Sequence, residues 1–170
     1  CLPKDVTALT AQGRDLGPEM PLLRSVLDIN RSQPAELLRL VRKHFPDLRG
    51  RKVAVLGLAF KPDTDDVRES PAFPVLRALR EAGAVLTAYD PVARPTGHEA
   101  LQGVTLAGSL AEAVADADAV VLVTRWAEFN QLAQVLQSAG RSPLVVDGRR
   151  VLEPAAFAAY EGIGREGMRT

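Results

Sequence analysis

Four short stretches of this chain gather side chains able to do chemistry. The longest is the fifteen-residue run from Gly57 to Pro71, GLAFKPDTDDVRESP, which sets Lys61, Arg68 and four acidic residues between an apolar segment and the start of a helix. Gly57 permits a tight turn, and Lys61 and Arg68 can reach phosphate oxygens, the arginine in a bidentate fashion. A dinucleotide fingerprint needs three spaced glycines, and this run has one, so anion binding here rests on side chains more than on a glycine cradle. A plainer role stays open: a solvated loop whose Asp63, Asp65 and Asp66 cap the following helix and pair with Arg68.

At the start of the chain, Cys1-Leu2-Pro3-Lys4-Asp5 places a thiol and a carboxylate four residues apart, the spacing of one helical turn. Lys4 beside them favours the thiolate, the nucleophilic form of cysteine; the alternative is an inert cysteine. Asp90 closes an apolar segment where nucleotide-binding folds keep a ribose-binding carboxylate. Without a glycine fingerprint ahead of it, a turn made with Pro91 is the better expectation. Asp147-Gly148-Arg149-Arg150 offers two arginines to an anion, with Gly148 allowing close backbone approach, or else forms a solvated surface turn. His44 and His98 have no partner at metal-ligand spacing, and no metal site is expected.

These stretches need elements to position them. Residues 1–17 read as a polar lead-in with a short helix over 5–13. From Glu19, Leu22, Leu23, Val26, Leu27, Leu37, Leu38, Leu40 and Val41 recur at helical spacing. Pro34 lacks a backbone donor and leaves open whether this is one long helix or two. Beyond Gly50 the pattern alternates: strands at 53–56, 85–89, 119–124 and 144–146, an edge strand at 104–106, and helices at 72–82, 109–115 and 126–137. Gly83 is expected at a helix C-cap, and Ser109 with Glu112 reads as a capping box. Alternation of this kind predicts an α/β fold: a Rossmann-like parallel sheet with helices on both faces, preceded by a long linker helix. The expected division is 1–50 for the cysteine segment and helix, and 51–170 for the α/β domain.

Composition narrows the function. With 170 residues and 46% hydrophobic residues the chain can bury a real core. Lys and Arg balance Asp and Glu at zero formal net charge, which argues against a nucleic-acid partner. No run approaches the ~18 apolar residues of a membrane span, and there is no signal-peptide pattern. A single cysteine fits a reducing, cytoplasmic compartment. The chain begins at Cys1 without Met, and a fragment of a longer protein is the expectation; a lipid-anchored cysteine is disfavoured because no flexible tether follows it.

Taken together, CLPKD, Asn30-Arg31-Ser32-Gln33, the run Gly57 to Pro71 and the turn DGRR resemble the UDP-glucose/GDP-mannose dehydrogenase family, in its order and spacing, across nearly the whole chain. The resemblance implies a double oxidation of a hexose C6 alcohol to a carboxylate with two NAD. It implies that Cys1 attacks the aldehyde stage to give a thiohemiacetal, which the second hydride transfer turns into a thioester, and that Asp5 assists the water releasing the acid. Lys4 and Arg68 would contact NAD, Phe60 and Lys61 the uridine diphosphate part of the substrate, and Arg149 the substrate across the cleft. The family's NAD-binding domain, with its glycine fingerprint and a catalytic Lys and Asn, would precede Cys1, leaving this chain inert alone. With no cofactor domain to cover it, the apolar face of the helix at 22–41 is expected to self-associate, as a homodimer through the linker helix. Within the family, the long loop, AYDP and DGRR lean towards UDP-glucose, whereas Leu2 is also seen in GDP-mannose enzymes. Arg125, where the family usually has an acidic residue, and Pro34 depart from the pattern. The alternatives are a GDP-mannose enzyme fragment and a stand-alone, non-catalytic nucleotide-binding module.

Overall fold

The computed structural model describes residues 2–95 and 97–164, which divide into two compact units, 1–34 and 35–170. The expected short helix over 5–13 is longer: α1 runs Leu2–Leu16, with Asp5 in its first turn and Arg14 in its last, where each charge suits the helix dipole. Gly13 lets the Met20 side chain lie against α1, since a Cβ there would meet it at 2.9 Å. The second helix, α2, is a single element, Pro21–His44, which carries Pro34 inside it. On the part of α2 within the first unit, Leu22, Val26 and Ile29 are exposed.

The second unit is built on six parallel strands: β1 Lys52–Leu56, β2 Val85–Tyr89, β3 Val104–Leu106, β4 Ala119–Leu122, β5 Leu144–Asp147 and β6 Tyr160–Gly162. Their order is β3-β2-β1-β4-β5-β6, so the winding reverses between β1 and β4, the switch point at which open α/β sheets hold ligands. Central strands are apolar on both faces because both are covered. Val53 and Val55 join one core with Leu37, Leu40 and Val41 of α2 and with α3 (Ala72–Glu81). Ala54 and Leu56 point the other way, into a core with α4 (Leu110–Val114) and α5 (Leu132–Ser138).

Local signals placed most boundaries. Gly83 (φ 87°) follows α3, and the Ala84 amide reaches the Leu79 carbonyl at 3.1 Å, the long bond of a Schellman cap. Ser109 caps α4 through the Glu112 amide, but the Glu112 carboxylate turns to the Gly108 amide, one residue earlier than a capping box requires. The segment expected as a helix from Trp126 starts as a 3-10 turn, Ala127–Gln131, before α5. β4 ends at Leu122 rather than residue 124, and β6 was not anticipated. Among the described residues no helix is long and apolar enough to cross a membrane, and no His, Cys, Asp and Glu cluster is arranged to hold a metal ion.

Candidate functional site

One register row runs across the carboxyl edge of the sheet: Tyr89 pairs with Leu56, Leu56 with Leu122, and Leu122 with Asp147. The turns after β1, β2, β4 and β5 therefore leave the sheet at one level, and Gly57, Asp90, Val123 and Gly148 stand side by side. Two of these turns belong to the sequence-predicted site.

The loop after β1 has no regular secondary structure, yet its backbone is fixed at several points. Gly57 adopts φ 93°, and a Cβ on it would come within 2.6 Å of the Thr124 backbone nitrogen. Only glycine lets β1 and β4 turn this close together. The Thr124 hydroxyl donates to the Ala59 carbonyl at 2.6 Å, and the Phe60 amide donates to the Asp66 carbonyl at 2.8 Å, closing the loop on itself. Asp63 (φ 62°) and Glu69 (φ 58°) are left-handed without being glycine, the kind of local strain that gathers at ligand-binding segments.

Two buried carboxylates organise this edge. Asp90 accepts the amides of Leu58 (2.7 Å) and Ala59 (2.9 Å) and the indole N–H of Trp126 (3.0 Å) on Oδ2, and those of Val92 (3.0 Å) and Ala93 (2.7 Å) on Oδ1. It is 1% exposed, so its lone pairs face the protein and not a ribose; the turn role expected with Pro91 is the one observed, and it extends to three turns. Asp147 does the same after β5. Its Oδ1 accepts the amides of Arg149 (2.8 Å) and Arg150 (2.7 Å), and its Oδ2 those of Val151 and Leu152 (both 2.9 Å) and the Tyr160 hydroxyl (3.1 Å). Gly148 is not there for an anion: its amide donates to the Leu122 carbonyl, and a Cβ would press on that oxygen at 2.8 Å and on Leu37. Backbone proximity to β4, not to a ligand, demands the glycine.

The predicted site residues fall into three groups. Cys1 lies outside the described residues; Lys4 and Asp5 are exposed on α1 and 3.7 Å apart. Phe60 is half-buried and Lys61 exposed after the pinned Leu58-Ala59 pair, and Arg149 is exposed after Asp147. Neither Lys61 nor Arg149 makes an ion pair with a described residue. Arg68, by contrast, is held by Asp66 through Nε and Nη2 (3.0 and 2.8 Å), and these hydrogen bonds bring the Asp66 carboxyl down to about 2. None of Asp63, Asp65 and Asp66 caps α3, whose N-cap position is Pro71, with no side-chain cap; the Ser70 hydroxyl accepts the Ala72 amide instead.

Sequence reasoning missed two members of the edge, Thr124 and Trp126. The indole was the available signal, because a buried Trp N–H seeks an acceptor. Beside them, Tyr89 donates to Glu128 at 2.8 Å, and burial first, then this hydrogen bond, pushes its phenol up to about 12. A recess of about 430 Å³ lies at the opposite edge, lined by His44, Asp118, Arg141 and Leu144, away from these turns.

Comparison with known proteins agrees with the fold. The model of the UDP-glucose/GDP-mannose dehydrogenase family, UDP binding domain, matches residues 54–154. The chain is 44% identical to UDP-glucose 6-dehydrogenase AglM of Haloferax volcanii over 96% of its own length and 37% of that protein's. It is 38% identical to UDP-glucose 6-dehydrogenase of Rhizobium meliloti over 97% of its length and 39% of that protein's. The structure of a UDP-glucose dehydrogenase from Pyrobaculum islandicum superposes with a TM-score of 0.85 at 36% identity, covering 98% of this chain and 37% of that one. The chain thus spans well under half the length of these relatives. The match includes the loop after β1 and the Asp147 turn, and on it the chain belongs to the UDP-glucose/GDP-mannose dehydrogenase family, in the part that contains its UDP binding domain.

Proposed function

We propose that this chain is the sugar-nucleotide-holding part of a UDP-glucose 6-dehydrogenase, whose parent oxidises the C6 alcohol of UDP-glucose to a carboxylate with two NAD. One observation carries the reading: the Phe60-Lys61 segment and Arg149 lie in two turns tied to one level of the sheet by the end of β4 and the residues just after it, through the Thr124 hydroxyl on Ala59 and the Leu122 carbonyl on Gly148. Cations on fixed turns beside a switch point suit a diphosphate. In this reading Phe60 and Lys61 hold the uridine diphosphate part and Arg149 the sugar side. Cys1 is the nucleophile, Asp5 assists water, and Lys4 and Arg68 face the cofactor. Both curated relatives named above carry UDP-glucose in their names, which favours it over GDP-mannose.

NAD does not fit the turn after β1 in this chain. That turn has one glycine, and Asp90, at the ribose-binding position, is closed by five donors. We therefore assign NAD to a separate domain of the parent. Residues 1–50 then supply the cysteine segment and a dimerisation helix, and 51–170 the sugar-nucleotide domain of a cytoplasmic enzyme. Calorimetric titration of the purified chain tests the reading: saturable heat with UDP-glucose, weaker with GDP-mannose and diminished in Lys61→Ala, is expected. No saturable heat with UDP-glucose, or measurable NAD reduction by the chain alone, overturns it.

A further inference from the structure

We propose that Asp90 is a positioning residue for nucleotide binding: it never touches the ligand but sets the backbone from which Phe60 and Lys61 reach it. The inference rests on the reading of this loop as the UDP site. Asp90 stands at the end of β2, yet its Oδ2 takes the two amides immediately before Phe60 and the indole N–H of the turn after β4. Its Oδ1 holds the Val92 and Ala93 amides of its own turn. One buried carboxylate therefore joins three of the turns on the carboxyl edge.

The physical case is one of preorganisation. The loop from Gly57 to Pro71 has no helix or strand bonds to hold it, so the backbone of Phe60 and Lys61 would sample many conformations if its upstream end were free. A carboxylate that accepts several N–H groups in a water-free setting is a strong anchor, and each donor left facing the wrong partner is costly. With the upstream end fixed by Asp90 and the Ala59 carbonyl by Thr124, the flexible Lys61 side chain has less freedom to lose on binding. Asn cannot replace Asp here. It keeps the size but turns one acceptor oxygen into an NH2 donor, and whichever way it sits at least two N–H groups face that donor.

The test uses the purified 170-residue chain, UDP as the probe, and Asp90→Asn compared with wild type by calorimetry and residue-resolved amide exchange. UDP affinity is expected to fall about tenfold or more, with protection lost at Leu58 and Ala59 but kept at Arg149 to Leu152, which Asp147 holds independently. A generally structural residue would loosen both turns alike. That outcome, or affinity within twofold of wild type, overturns the proposal. If Asp90→Asn does not fold, Trp126→Phe carries the test, because it removes one donor and leaves the carboxylate: a smaller loss of both affinity and Leu58–Ala59 protection supports the proposal, and no change in either refutes it. UDP affinity unchanged in Lys61→Ala counts instead against the loop being the UDP site, while the exchange pattern still reports whether Asp90 governs the loop.

Discussion

Thr124 donates its hydroxyl proton to the carbonyl of Ala59 across 2.6 Å, at a position with no solvent exposure, and the backbone of the same threonine leaves no room for a Cβ on Gly57. The end of β4 and the loop after β1 are thereby locked together at the switch point of the sheet. The hydroxyl satisfies a carbonyl that no strand partner serves, and the glycine permits the approach.

Both halves of that lock are testable by denaturation. Thr124→Val keeps the shape but strands the Ala59 carbonyl, and a loss of about 1–3 kcal/mol is expected. Gly57→Ala should cost more, on the order of 2–4 kcal/mol, since it combines a left-handed φ with overpacking. Urea midpoints are the measurement. An alanine at 57 that leaves the midpoint unmoved would show the approach to Thr124 to be looser than described.

Asp147 should behave as a stability residue. Removing its second acceptor oxygen leaves at least two of its five donors without a partner, so Asp147→Asn is expected to cost about 2–5 kcal/mol. The loss should appear as lower amide protection from Arg149 to Leu152. A variant as stable as wild type contradicts this role.

Glu161 predicts a pH dependence at the far edge. Burial raises its carboxyl, but the hydrogen bonds from His44 and Lys43, both 3.1 Å, outweigh it and bring the group below its ordinary 4.5. A carboxyl depressed in the folded state stabilises fully above its unfolded value, and that stability is lost as pH falls through the folded value. The stability gap between wild type and Glu161→Gln should therefore be present above the ordinary 4.5 and close as the pH falls below it. A gap that widens on acidification reverses the sign and refutes the assignment.

The exposed Leu22, Val26 and Ile29 on α2 lie at i, i+4 and i+7, a stripe that a helix normally covers. With homodimerisation proposed through this helix, sedimentation should show a dimer for the chain and a shift towards monomer for Val26→Glu. A strict monomer at high concentration removes the helix as the dimer interface.

Much of the fold was legible because its signals are local. Alternating apolar runs announced five of the six strands, and Gly83 and Ser109 marked helix ends through chemistry confined to a few residues. β6 escaped because Tyr160-Glu161-Gly162 is short and carries a charge at its centre, whose partners, Lys43 and His44, lie more than a hundred residues away. The helix from Trp126 was read too simply for a similar reason: its indole is committed to Asp90, and the chain enters α5 only after a 3-10 turn.

By itself the sequence determined the order of the elements and the α/β layering, since these depend on side-chain type and short-range periodicity. Only the tertiary structure decided what the carboxylates at the strand ends do. Asp90 and Asp147 look alike in sequence, each an aspartate closing an apolar run, and either could have faced a ligand. Parallel register brings four strand ends to one level, and these two side chains turn inward, Asp90 to amides of its own turn and of the turn after β1, Asp147 to amides of its own turn and the Tyr160 hydroxyl. Lys61 and Arg149 stay exposed beside them.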